Sequence, residues 1–257
     1  MLNTVRHGER ARGEPPVLIV HGLFGSARNW GAIAKRLSDS REVLAVDMRN
    51  HGDSPHSADQ SYAAMADDLA EVIAAAGGQA DVVGHSMGGK AAMVLALGAP
   101  ERVRRLVVAD IAPVAYAHSQ APLVEAMRAL DLRGIKTRGE ADARLAQRID
   151  SPQLRAFLLQ SLDLREGPPR WKLNLDALAD QMEHIMGWPE PAGRFDGPAL
   201  FVSGAASDYV RPEHRDPIRA LFPRARFATI PDAGHWLHAE RPREFEAVLR
   251  SFLTPNP

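Results

Sequence analysis

Cysteine is absent from this 257-residue chain. Disulfides, cysteine-held zinc and a cysteine nucleophile are therefore excluded, although the compartment cannot be read from that absence alone. Charge of one sign is lacking too: the formal net charge is -1, and a nucleic-acid partner would need a clustered basic surface. No stretch approaches the roughly 18 apolar residues of a membrane span. The N-terminal segment "MLNTVRHGERARGEPPVLIV" holds an apolar run of only about five residues, too short for a signal-peptide core. Internal repeats and low-complexity segments are missing as well. The expectation is a soluble, cytoplasmic protein with no nucleic-acid partner and no membrane span.

What is present is ordinary globular composition, 45% hydrophobic and 25% charged, in a chain long enough to bury a full core. Short β-branched runs alternate with helical patterns: "PVLIVHG" at 16–22, "EVLAVDM" at 42–48, "ADVVGHS" at 80–86 and "VRRLVVAD" at 103–110. Two more, "GPALFVSG" at 197–204 and "ARFATIP" at 225–231, lie near the C-terminus. Continuous apolar runs of this kind suit a parallel sheet covered on both faces, so the pattern predicts a doubly wound, mostly parallel α/β sheet. Between Pro113 and Asp196 the alternation stops and consecutive helical patterns follow, with Ser151-Pro152 as a helix start. This predicts a core of residues 1–112 and 197–257, with an all-helical cap at 113–196 over one end of the sheet.

In "DVVGHSMGGKAAM", residues 81–93, glycines crowd around Ser86 between an apolar strand and an alanine-rich helix. A serine at the tip of a sharp strand-to-helix turn sits in strained backbone, and side chains two residues before and after it would collide. Gly84 and Gly88 remove them. Such a turn exposes the Ser86 hydroxyl at the carboxyl end of the sheet and leaves the Met87 amide free to donate to an oxyanion. A serine nucleophile needs a base, and the base needs an acid. His235, in the loop "PDAGHWLH" after the last strand, stands where the base is required; His238, His21 and His85 are its bland competitors, and His85, which should face away from the serine, is read as packing. A second oxyanion donor is expected from "VHGLFGSARNW", with the Leu23 amide chosen and Phe24 as its neighbour. For the acid, Asp110 and Asp208 both follow strands and both lie between Ser86 and His235, so chain order does not choose.

"HGLFGSARNW", "VDMRNHGDSPHS", "GHSMGGKAAM", "VVADIAPVAY" and "AGHWLHAE" resemble segments of the α/β-hydrolase superfamily, and within it the YbfF-type small esterases. The likeness runs from residue 21 to residue 240. It implies the α/β-hydrolase fold with the cap inserted after the sixth strand, a Ser-His-Asp mechanism, and a small-molecule carboxylic ester or acyl thioester of small to medium chain as substrate. The superfamily's commoner acid position corresponds to Ser207 here, which leaves Asp208 one residue late. The "VADIAPV" segment is where YbfF-type esterases carry the acid, so the resemblance favours Asp110, with Asp208 the alternative. With no cysteine and no evident metal cluster, no cofactor and no metal are expected. Asp47, Arg49 and His51 of "DMRNHGDS" are read as loop scaffolding. Two other classes stay open at this point: the same triad put to carbon–carbon hydrolysis, elimination or acyl transfer, and a non-catalytic ligand binder on this scaffold.

Overall fold

A computed structural model describes residues 1–9, 14–165 and 167–254. Its strands are β1 (Thr4–His7), β2 (Val17–Val20), β3 (Val43–Val46), β4 (Ala80–His85), β5 (Val103–Ala109), β6 (Leu162–Asp163), β7 (Arg170–Trp171), β8 (Ala199–Gly204) and β9 (Ala225–Ile230). Seven of them form one sheet in the order β1-β3-β2-β4-β5-β8-β9. Every pairing in it is parallel except β1 with β3. β4, which leads to Ser86, lies at the centre between β2 and β5 and is buried along its whole length.

The core helices before the cap are α1 (Gly31–Leu37), α2 (Tyr62–Ala75) and α3 (Met87–Gly98). The cap carries α4 (Ala121–Arg128), α5 (Arg138–Leu145), α6 (Pro152–Leu158), α7 (Leu175–Asp180) and α8 (Met182–Met186). The chain then closes with α9 (Arg215–Leu221), α10 (Leu237–Glu240) and α11 (Pro242–Leu253). The continuous apolar strands are explained by cover on both sides. Leu18, Val20, Val82, Leu106 and Val108 face the core that holds α2 and α3. Their alternating neighbours Val17, Ile19, Val83, Val107 and Ala109 face the core that holds α1 and α11. On α11, Phe245, Leu249 and Leu253 recur at helical spacing and are buried. Truncating one of them, as in Leu249→Ala, should cost about 2–5 kcal/mol.

Two expectations need correction. The insertion leaves the sheet after its fifth strand among the described residues, not its sixth, because β1 is the only strand that precedes β2. Nor is the insertion all-helical: β6 and β7 pair as a two-stranded antiparallel ribbon, a unit of two residues per strand that carries too little alternation to read. The Ser151 cap is present, its hydroxyl accepting from the Leu154 amide at 3.3 Å ahead of Pro152 at the first helical position.

Candidate active site

Ser86 sits at φ 51°, ψ −121°, a left-handed conformation that costs a non-glycine residue about 1–3 kcal/mol. Its surroundings fix it there. The Ser86 amide donates to Ala109 O of β5 at 3.1 Å, and its carbonyl accepts from the Lys90 amide at 3.0 Å, which starts α3. A Cβ on Gly84 would stand on the Gly88 carbonyl, as the sharp turn requires. A Cβ on Gly88 would meet the carbonyls of Val20 and His21 instead, so this second glycine lets α3 close on the end of β2.

His235 Nε2 lies 3.0 Å from Ser86 Oγ, and its Nδ1 lies 2.8 Å from Asp110 Oδ2. With Nδ1–H donating to the carboxylate, Nε2 faces the hydroxyl as an acceptor. Asp110 is fully buried. Its amide continues the sheet by donating to Val202 O at 2.8 Å, and its Oδ1 accepts from the Gly204 amide at 3.1 Å. The Ser207 hydroxyl donates to Asp110 Oδ2. Asp208 lies apart, with its side chain 78% exposed and paired with Arg211 at 3.3 Å.

His85 does more than pack. Its Nε2–H donates to the His235 carbonyl at 2.8 Å, tying the residue before Ser86 to the loop that carries the histidine. Burial, followed by the neighbouring His238 and His235, holds His85 well below the usual imidazole range and so keeps it neutral. His238 is buried and stacks on Trp30 at 4.1 Å with 7° between the rings. Among the described residues its Nδ1 has no hydrogen-bond partner, and burial pushes its pKa down to about 3.

The loop after β2 supplies the candidate oxyanion donors. The Phe24 amide is taken, donating to His51 Nε2 at 3.2 Å, while the Leu23 amide has no acceptor among the described residues. Met87, the first residue of α3, presents its amide beside Ser86. Asp47 braces this loop by accepting from the Ala27 amide at 2.7 Å, the Asp53 amide at 2.9 Å and Asn3 Nδ2 at 2.8 Å. Burial opposes the Asp47 charge, yet these donors hold its carboxyl below the usual carboxylate range. His21 Nε2 accepts from the Met48 amide at 2.9 Å and completes the brace.

A cavity of about 280 Å³ opens over Ser86 between core and cap. Ile111, Leu123, Leu154, Phe157, Ile185 and Met186 give it an apolar wall. Trp236 stands 5.6 Å from Phe157 across core and cap. Tyr116 and Met186 line the cavity, whereas Trp171, another aromatic of the cap, turns its indole N–H to Met127 O at 3.1 Å elsewhere. Lys90, buried one helical turn after Ser86, donates to Met186 O at 3.0 Å and Gly187 O at 2.5 Å. Its ammonium also lies 4.8 Å from the centre of the Tyr116 ring, and burial pushes its pKa down to about 7. Sequence reasoning missed Lys90, Ser207 and Tyr209 at this site. The only signal for Ser207 was its place three residues after Gly204, and the other two carried none. Among the described residues, no group of three or more histidine, aspartate or glutamate side chains is placed to hold a metal ion, and no helix is long and apolar enough to cross a membrane.

A serine in a strained elbow, an imidazole bridging it to a buried carboxylate, and the candidate donor amides of Leu23 and Met87 on a mostly parallel sheet define a hydrolase-type site. The chain belongs to the alpha/beta hydrolase family, whose model matches residues 17–248. It is 43% identical over 248 residues to the mouse protein named sn-1-specific diacylglycerol lipase ABHD11, covering 93% of this chain and 81% of that one. Esterase YbfF of Escherichia coli strain K12 is 42% identical over 238 residues, with 92% and 91% covered. A solved structure titled marine microorganism esterase superposes with a TM-score of 0.92 at 40% identity, covering 98% of each chain.

Proposed function

We propose that the protein is a serine hydrolase that cleaves carboxylic esters or acyl thioesters of small to medium acyl chain through an acyl-enzyme on Ser86. The observation that carries this reading is the bridge from Ser86 Oγ to His235 Nε2 at 3.0 Å and on from Nδ1 to Asp110 at 2.8 Å. The names of the similar proteins, lipase and esterase, support the same reaction class.

As Ser86 Oγ attacks the acyl carbonyl carbon, its proton passes to His235 Nε2, and Asp110 stabilises the imidazolium that forms. Negative charge gathers on the former carbonyl oxygen, where the Leu23 and Met87 amides donate to it. When the tetrahedral intermediate collapses, the bond to the alcohol or thiol breaks and the proton on Nε2 goes to the leaving group. Water then attacks the acyl-enzyme by the same route, giving up a proton to His235, and the acid leaves as Ser86 recovers its own. A cavity of about 280 Å³ lies at the small end of ligand pockets, which favours short or medium acyl groups.

The test is a graded series of p-nitrophenyl esters and acyl thioesters, run alongside a fluorophosphonate probe. Wild-type protein should turn over the shorter members and be labelled at Ser86, and Ser86→Ala should lose both while remaining folded. Undiminished turnover by Ser86→Ala would sink the mechanism, and peak activity on emulsified long-chain triglyceride would overturn the chain-length reading.

A further inference from the structure

Both ring nitrogens of His235 are engaged, and so is one of its faces. The phenol ring of Tyr209 lies over the imidazole with centroids 3.8 Å apart and 18° between the planes, while His85 meets the ring obliquely at 4.8 Å and 42°. A near-parallel stack at that spacing needs an orientation imposed from outside the pair. Four contacts supply it. The Tyr209 amide donates to Ser207 Oγ at 3.3 Å, the same hydroxyl that donates to Asp110. The Tyr209 carbonyl accepts from the Tyr116 hydroxyl at 2.7 Å. At the tip of the ring, the Tyr209 hydroxyl bonds to His118 Nε2 at 2.9 Å and accepts from Gln120 Nε2 at 3.5 Å. Tyr116, His118 and Gln120 all belong to the segment leading into the cap, so the ring is held from the acid on one side and from the cap on the other.

An aromatic face carries partial negative charge. Against a neutral imidazole it offers little beyond packing, but it attracts the same ring once protonated. As the base, His235 takes the proton of Ser86 and carries it at the transition state, so the attraction grows as the reaction proceeds. An interaction of that kind raises kcat rather than lowering KM.

We propose that Tyr209 is a positioning residue for ester or thioester hydrolysis: its ring face fixes the plane of His235 and stabilises the imidazolium, and the ring is held in place chiefly through the Tyr209 backbone by Ser207 and Tyr116. This rests on the reading of Ser86 and His235 as nucleophile and base.

Two kinds of substitution separate the ring face from the hydroxyl. Tyr209→Phe keeps the face and loses the bonds at the tip, whereas Tyr209→Leu and Tyr209→Met remove the face and keep an apolar side chain. On a short p-nitrophenyl ester, kcat should stay within about twofold in Tyr209→Phe and fall roughly three- to thirty-fold in Leu and Met, with KM moving little. The two apolar variants back each other up if one of them does not fold. Unchanged kcat in both apolar variants overturns the proposal. So does a rise in KM alone, which would make Tyr209 only a pocket wall, and so does a loss in Tyr209→Phe as large as in Leu. Wild type and Ser86→Ala belong in the same assay. If wild type is inactive, or Ser86→Ala is active, the hydrolase reading fails and this inference falls with it. If both controls behave and the Tyr209 series is flat, only this inference fails.

Discussion

Ser207 and Asp110 stand on neighbouring strand ends, and the hydroxyl of one donates to the carboxylate of the other. The position at which the commoner superfamily layout would place the acid is thus occupied by a donor to an acid one strand earlier. Asp110 receives that hydroxyl, the Gly204 amide and the His235 ring, so its charge is well satisfied without any contact with Asp208. Asp110→Asn should therefore lower kcat by roughly three to four orders of magnitude, and Asp208→Asn should leave it nearly unchanged. Ser207→Ala removes one donor from a buried charge and should cost about 1–3 kcal/mol in stability, with a smaller effect on kcat. Steady-state kinetics on one ester for all three variants checks this, and collapse of Asp208→Asn alone would return the acid to the later strand.

His51 never meets the cavity, yet it holds the amide next to the candidate oxyanion donor. His51→Ala leaves the Phe24 amide without its acceptor and frees the loop that carries Leu23. The expected result is a fall in kcat of about tenfold, equivalent to roughly 1.4 kcal/mol of transition-state stabilisation, with KM nearly constant. A variant that loses stability but keeps full kcat would confine His51 to scaffolding.

Lys90 should leave a mark on alkaline stability. Its folded pKa is about 7 against an ordinary value of 10.5, so between those limits the unfolded chain holds a proton that the folded chain has released. Stability from this group therefore rises as pH increases from about 7 towards 10.5. Lys90→Met should flatten that rise. Melting temperatures of wild type and variant at pH 7 and pH 9.5 provide the comparison, and parallel curves would contradict it.

His238 works on the acid side. Its pKa drops from 6.5 to about 3 on folding, so between those values the unfolded chain takes up a proton that the folded chain refuses. The stability this gives is complete above 6.5 and is lost as pH falls towards 3. By pH 5 the loss is on the order of 2 kcal/mol. His238→Phe keeps a ring against Trp30 and removes the unpartnered Nδ1, so its advantage over wild type should widen from pH 7.5 to pH 5. Denaturant titrations at both values test this, and a constant difference would sink it.

Much of this arrangement was legible because local rules carried it. The apolar runs marked β2, β3, β4, β5, β8 and β9, and the spacing of Gly84, Ser86 and Gly88 marked a tight turn. Asp110 needed the family likeness, since two aspartates follow suitable strands and only the contact with the His235 loop separates them. The stack of Tyr209 on His235 was beyond reach. It depends on how the loop after β8 folds back over the loop after β9, and no periodicity encodes a contact between two irregular segments. The His51 bond to Phe24 is hidden for the same reason. The β6–β7 ribbon was lost to its length.

The attachment of the three candidate triad residues differs, and so should their resistance to disorder. The amides of Ser86 and Asp110 extend the hydrogen-bond ladder of the sheet into β5 and β8. His235 instead rides a turn fastened by His85 to its carbonyl and by Glu240 to the Gly234 amide at 2.7 Å. Local opening reaches weakly fastened turns well before it reaches central strands. In rising denaturant the histidine would then be the first of the three to leave its place, so hydrolysis would fade over a range in which the sheet still gives its folded spectrum and dilution restores activity at once.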